Sequence, residues 1–324
     1  MSCAWSGRLF RLSARRGDGM PEEPEDSASL TEVVANRVVR LKNINCAYCS
    51  VDFTETLKPT KEHVIGRGFV PRGTLDGVVN LHLNVCASCN NDKSNLEDDI
   101  SVITMHPDTL GRYAVDDPRI RAEVARKATK SKSRRTGKAI AAGEQPMVLK
   151  GSFGPAEITV SMVMPPQADH ERLYRLARYQ LTAFLYHQTY SEAERRGRFW
   201  GGGFYPIMFA SRSDWGNPLF RWFQAATDSW SDVYLLNTAD GFFRVWIKYL
   251  KPAAGAWAWA MEWNKNFRLI GFFGREASIM PILDRKPDLA WKTLSEGPVR
   301  RRMRFETPIK EGEKDTLFRV FEEP

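Results

Sequence analysis

Residues 46–93 read CAYCSVDFTETLKPTKEHVIGRGFVPRGTLDGVVNLHLNVCASCNNDK. Two CxxC pairs bracket the stretch: Cys46 with Cys49, and Cys86 with Cys89. Two residues between thiolates let a tight turn aim both sulfurs at one ion. Two such knuckles complete a tetrahedral four-thiolate zinc site. Such a site is closed, so its zinc holds structure and activates no water. A redox reading needs a single CxxC beside a βαβ unit, and the sequence shows two pairs and no such unit. Cys3 is left over and has no place in the pattern.

Between and after the pairs stand Glu62-His63-Val64-Ile65, Asn80-Leu81, Asn90 directly after Cys89, and Lys93 three residues later. In this order and spacing the stretch resembles the HNH endonucleases, the ββα-metal or His-Me finger nucleases, in their four-cysteine zinc form. The resemblance covers about 50 residues of the chain and carries no information about the C-terminal half. It implies that His63 is the general base that deprotonates an attacking water, a task suited to a neutral imidazole. It implies that Glu62 and Asn90 hold one divalent ion, Mg2+ or Mn2+, through oxygen ligands. That ion would neutralise the scissile phosphate and the leaving oxygen. Asn80 would pin the loop and orient His63. Two departures stand out. The third signature residue is Asn90 rather than His, an H-N-N variant. Gly66 stands where the family usually has Pro, and Arg72-Gly73 only echoes the usual Gly pair.

Each of these residues also has a plainer reading. Asn90 opens a helical stretch, where Asn is a common N-cap, and capping needs a different side-chain direction from ligation. Glu62 can be a solvated acid. Arg67, Arg72 and Lys93 can contact phosphates or simply carry surface charge. His82, His106, His170 and His187 share no ligand spacing and read as background.

Outward from this stretch, charge is uneven. Residues 1–118 hold 13 Lys and Arg against 17 acids; residues 119–150 hold 10 against 2, which alone equals the net +8 of the chain. The segment RIRAEVARKATKSKSRRTGK (119–138) has few apolar positions, so it reads as a solvated basic helix or a flexible linker. Arg126, Lys127, Lys130, Lys132, Arg134 and Arg135 are its candidate phosphate contacts. The first 30 residues stay outside the fold. Their arginines suit a transit peptide, and Met20 is an equally good start. No secretory h-region follows, so a reducing, cytoplasmic location is expected. The longest apolar run, 253–261, is far shorter than a membrane span.

Residues 33–41 read as a strand leading to Cys46. Leu96, Ile100 and Ile103 predict a helix over 90–105. Beyond 152 the composition turns tryptophan-rich: nine of ten Trp lie between 200 and 291, and alternation within strands favours burial, while Trp200, beside Gly201-Gly202-Gly203, is a candidate for stacking on bases. Strands are expected over 157–164, 232–236, 243–249, 257–263 and 267–273, and helices over 170–195 and 217–230. Asp240-Gly241 and 264–266 mark hairpin turns. The expected fold class is α+β: a flexible 1–30, a zinc-stapled ββα-metal nuclease module over 31–118, a basic linker or helix over 119–150, and an α+β domain with an antiparallel sheet over 151–324. The expected function is an HNH endonuclease acting on nucleic acid, most simply DNA. Double-strand cutting by one active site per chain would suggest a homodimer. A non-catalytic zinc-dependent nucleic-acid-binding protein is the alternative. A third reading places function in a protein-binding surface of the Trp-rich half.

Overall fold

The computed structural model describes residues 31–32, 37–108, 111–134, 137–142, 145–153, 156–164, 166, 168–250, 255–295 and 301–321. The N-terminal 30 residues, residues 33–36 of the expected first strand, and Arg135 lie outside that set.

After Thr31–Glu32 (β1), Val39–Arg40 (β2) forms a small sheet with Thr60–His63 (β3) and Leu81–Val85 (β4). Its order is β2-β4-β3, with β2 parallel and β3 antiparallel to β4. β4 alternates as a half-buried strand must, burying Leu81, Leu83 and Val85. Cys86 follows in extended conformation, and Ala87–Met105 (α1) starts at once. Helix α1 buries Leu96, Ile100 and Ile103 on its core face. The loop between β3 and β4 is anchored from within by Val64, Ile65, Phe69, Val70 and Val79, all essentially inaccessible.

The basic segment opens as a helix, Pro118–Lys127 (α2), with Asp117 as N-cap and Pro at its first turn. It is not the fully solvated or flexible element expected. Ile120 and Val124 are buried four residues apart, which ties the helix to the core.

Gln145–Phe153 (β5) and Ala156–Met164 (β6) form a two-stranded hairpin. His170–Gln188 (α3) is capped by Asp169. It ends seven residues before the expected Arg195: Thr189 is its C-cap, with backbone angles outside the helical range, and the following residues have no apolar stripe. Gly203–Ser211 (β7) precedes Pro218–Thr227 (α4), capped by Asn217. Then come Ser231–Thr238 (β8), Phe243–Tyr249 (β9), Ala256–Trp263 (β10), Phe267–Gly274 (β11), Glu276–Leu283 (α5), Lys292–Ser295 (β12) and Arg301–Met303 (β13). The large sheet runs β1-β8-β9-β10-β11-β7; β1 is parallel to β8, and the other five strands are antiparallel. The fold is therefore mixed α+β.

Alternation along β10 sends Trp259, Met261 and Trp263 to one side of this sheet and Ala256, Ala258 and Ala260 to the other. The alanine side is covered by α4, α5 and Phe318. The tryptophan side packs on α3 and on the whole N-terminal half, in one continuous core. Phe69 of the β3–β4 loop meets Trp263 edge-on, with ring centroids 5.3 Å apart. The Thr238 hydroxyl donates to the Val79 carbonyl at 2.7 Å. Asn264, in the β10–β11 turn, donates to the Phe69 carbonyl at 3.2 Å and to Thr104 Oγ1 at 2.8 Å. Trp200 packs against Phe273 and Phe204. No described helix is long and apolar enough to cross a membrane.

Candidate metal centre and candidate active site

The first knuckle is a turn. The Cys46 N–H donates to the Val51 carbonyl, Ser50 N–H returns to the Cys46 carbonyl, and Ser50 takes the left-handed conformation that closes it. The second knuckle is the β4–α1 corner, with Cys86 at the cap position and Cys89 in the first turn. The four sulfurs lie within 4.8 Å of one another. Cys49 and Cys86 are 3.8 Å apart, sulfur to sulfur, which matches the edge of about 3.8 Å that a tetrahedron with zinc–sulfur bonds of about 2.3 Å requires. The set fits a metal ion such as zinc.

Without a cation the thiols cannot all ionise. A hydrogen bond from Cys89 draws the Cys46 thiol down to about 5, burial opposes it, and backbone N–H groups of Cys86, Tyr48 and Cys49 assist. Burial pushes Cys49 up to about 11. Donation to Cys46 holds the Cys89 thiol protonated, and burial adds to it. A divalent ion removes the repulsion that keeps these protons on.

His63 closes β3, and strand alternation separates it from Glu62. Glu62 turns inward toward α1 and is buried. Its Oε1 lies 2.7 Å from Lys93 Nζ and accepts from the Tyr48 hydroxyl at 3.3 Å. Lys93 Nζ also lies 2.7 Å from Glu97 Oε1 and donates to the His63 carbonyl at 3.2 Å. Burial works against the Lys93 ammonium, but Glu97 and Glu62 outweigh it and raise its pKa. Burial raises the Glu97 pKa, with Lys93 opposing. Lys93 is thus corrected as a phosphate contact: at 1% exposure its charge is taken up by two carboxylates. The helical i, i+4 spacing of Lys93 and Glu97 was the available signal.

Asn80 is buried and clamps the loop behind His63. Its Nδ2 donates to the Ile65 carbonyl at 3.0 Å, and the Ile65 N–H donates to its Oδ1 at 3.4 Å. Asn90 lies one turn inside α1, so it is not the N-cap; Cys86 holds that position. Its Nδ2 reaches across to Thr60 Oγ1 on β3, at 3.1 Å. Glu62 and Thr60 share a strand face, so Glu62 and Asn90 lie on facing elements. Gly66 also finds its reason here. Its N–H donates to Glu97 Oε1 at 3.2 Å, and a Cβ at this position would run into the Glu97 carboxylate. Proline lacks that N–H and carries that carbon.

On the opposite sheet face, His63 is half-buried and pairs in register with His82. The rings meet edge-to-face with centroids 4.1 Å apart. Burial lowers the His63 pKa, the Arg67, Lys93 and Arg40 charges lower it further, and Glu62 opposes them. Burial and the neighbouring His63 bring His82 down to about 4. Both rings are neutral at pH 7. In the sequence His82 reads as background; its partnership needs the strand register, which a sequence pattern does not supply.

In comparisons with known protein families, curated proteins and solved structures, nothing matches this chain. Among the described residues, the four cysteines are the one group of three or more Cys, His or carboxylate side chains close enough to share an ion. Glu62 and Asn90 offer two oxygen donors.

The remaining basic candidates divide. Lys127 is a second correction: it is buried, donates to the Gly68 carbonyl and lies 3.2 Å from Glu123. Arg126 lies 2.5 Å from the same Glu123, and Arg72 lies 3.6 Å from it. Lys130 and Lys132 are exposed, as is Arg134, which sits 3.9 Å from Asp98. Arg67 is exposed. A cleft of about 660 Å³ lies elsewhere, between the end of α1, β7 and residues 304–315, and no candidate site residue lines it.

Proposed function

We propose that this chain is a metal-dependent endonuclease of the HNH type that hydrolyses phosphodiester bonds in nucleic acid, most simply DNA. One arrangement carries the reading. His63 stands at the end of β3 with a neutral, half-exposed imidazole, and the segments behind it are clamped by Asn80 and by the four cysteines. A neutral imidazole accepts a proton from water. In the proposed step, the water oxygen bonds to phosphorus as His63 takes its proton. The bond from phosphorus to the leaving sugar oxygen breaks, and that oxygen is protonated from solvent. Asn80 keeps the loop, and with it His63, in place.

Glu62 and Asn90 are the residues that would hold one Mg2+ or Mn2+. A carboxylate and an amide oxygen suit such an ion, and Asn90 bonds Thr60 through nitrogen, which leaves its Oδ1 for ligation. The bound ion would supply charge neutralisation at the scissile phosphate. Arg67 and the exposed Lys130, Lys132 and Arg134 would supply electrostatic attraction.

Two observations favour a second reading. Glu62 faces α1 while His63 lies on the other face of the sheet, and Glu62 is already neutralised by Lys93 at 2.7 Å; a non-catalytic zinc-dependent nucleic-acid-binding protein would keep that pair intact and needs no ion beside His63. The two readings part on nicking of supercoiled plasmid with Mg2+ or Mn2+, wild type beside His63→Ala, with an EDTA lane. Metal-dependent nicking lost in the variant supports the nuclease. Equal activity in both proteins would remove His63 as the base. Inactivity of both on plasmid, single-stranded and branched DNA, and RNA would leave the binding protein.

A further inference from the structure

The small sheet has a second face, turned away from α1. Register puts Arg40 opposite His82 on β4, and His82 opposite His63 on β3. Residues directly paired across strands share a face, and neighbouring strands lie about 4.8 Å apart. The three side chains therefore form a row across the sheet, about 10 Å long at the backbone. Arg67, in the loop four residues after His63, is exposed, and its charge lowers the pKa of both imidazoles, as does that of Arg40. Lys61, two residues before His63, extends the same face.

Two features distinguish this row from ordinary surface charge. First, most described arginines are already engaged: Arg72, Arg112, Arg119, Arg126, Arg172, Arg196 and Arg268 all pair with acids. Arg40 and Arg67 are exposed, and neither has an acidic partner among the described residues. Second, no carboxylate is among the groups acting on His82, and the one acting on His63, Glu62, faces the other way. The face offers guanidinium and imidazole N–H donors with no competing anion. That chemistry matches a phosphodiester, whose oxygens accept charge-assisted hydrogen bonds.

We infer that Arg40 and Arg67, with His82 between Arg40 and His63, form a docking face for the phosphodiester backbone of a nucleic acid. This rests on the nuclease reading for its position beside a catalytic His63, and on its own geometry for binding. His82 is a ligand-contacting residue of this face, which its sequence context did not show.

The test is fluorescence anisotropy with the full-length, zinc-loaded protein and a short labelled DNA duplex across a salt series, without Mg2+. Variants are Arg40→Gln, Arg67→Gln, their double, and His82→Gln; Lys286→Gln, an exposed cation on the α5 side, is the control. Each arginine variant is expected to bind several-fold more weakly at low salt. The slope of log affinity against log salt becomes shallower by about 0.9 for each phosphate that the variant no longer neutralises. His82→Gln weakens binding without changing the slope, and Lys286→Gln changes neither. A double variant with wild-type affinity and slope, or a wild type that does not bind DNA, overturns the inference. Plasmid nicking runs in parallel to separate the two ideas. Binding abolished in the double variant with no wild-type cleavage leaves the docking face standing and removes the nuclease. Cleavage with unchanged binding in the double variant does the reverse.

Discussion

Lys93 Nζ lies 2.7 Å from Glu62 Oε1 and 2.7 Å from Glu97 Oε1, with the lysine 1% exposed. One ammonium therefore bridges two inward-facing carboxylates, Glu62 on β3 and Glu97 on α1. It ties the strand bearing His63 to the helix bearing Asn90. Removing one partner of a buried pair leaves the other charge uncompensated, which costs about 3–5 kcal/mol. Lys93→Met is expected to lose stability of that order in urea unfolding. The double variant Glu62→Gln/Lys93→Met recovers much of it, because Glu97, whose pKa is already raised by burial, can take up a proton. A single variant as stable as wild type would mean the pair carries no such energy.

The four cysteines give a prediction for metal removal. The purified protein should contain about one zinc per chain by elemental analysis, and Cys86→Ser should lose it. Chelation should lower the melting temperature and loosen the β4–α1 corner first, since Cys86 and Cys89 flank that junction. A stripped protein with an unchanged melting temperature would show that the thiols need no ion.

Acid should destabilise the protein through His187. Its ring accepts or donates a hydrogen bond with the Tyr234 hydroxyl at 3.0 Å, and burial brings its pKa down to about 4 from 6.5. Between those values the unfolded chain binds more protons than the folded one. Stability is thus full above pH 6.5 and is lost as pH falls toward 4. His82 acts in the same direction, also reaching about 4 through burial and His63. Urea midpoints measured at pH 7 and pH 4.5 should differ less in His187→Gln than in wild type. An identical difference in both would exclude this residue as a source of acid lability.

Much of the architecture is legible in local pattern. Leu81, Leu83 and Val85 announce a half-buried strand, Leu96, Ile100 and Ile103 a helix, and Trp257, Trp259 and Trp263 a packed sheet face. The CxxC spacing announces a metal-sized cluster, and the structure brings those sulfurs within 4.8 Å. What local pattern misses is long-range. Lys93 reads as a surface cation until β3 places Glu62 over it. His82 reads as a stray imidazole until register sets it against His63. The segment 119–138 reads as solvated because its apolar residues are few, yet Ile120 and Val124 suffice to seat α2. Helix α3 stops at Gln188 and α4 at Thr227, short of the expected 195 and 230; element ends carry weaker sequence signals than element cores.

The hairpin turn holding Asn264 reaches across to Phe69 and Thr104, while Trp263 beside it packs on Phe69. The two ends of the polypeptide thus complete each other's interior. Dividing the gene between residues 118 and 151 would separate two parts of one core. Each product would carry half of a shared interior to its surface, Trp259 and Trp263 on one and Phe69 and Val79 on the other. The N-terminal portion is accordingly not a cassette that can be moved into another host protein, and an engineer who wants its cysteine centre must transplant the tryptophan sheet with it.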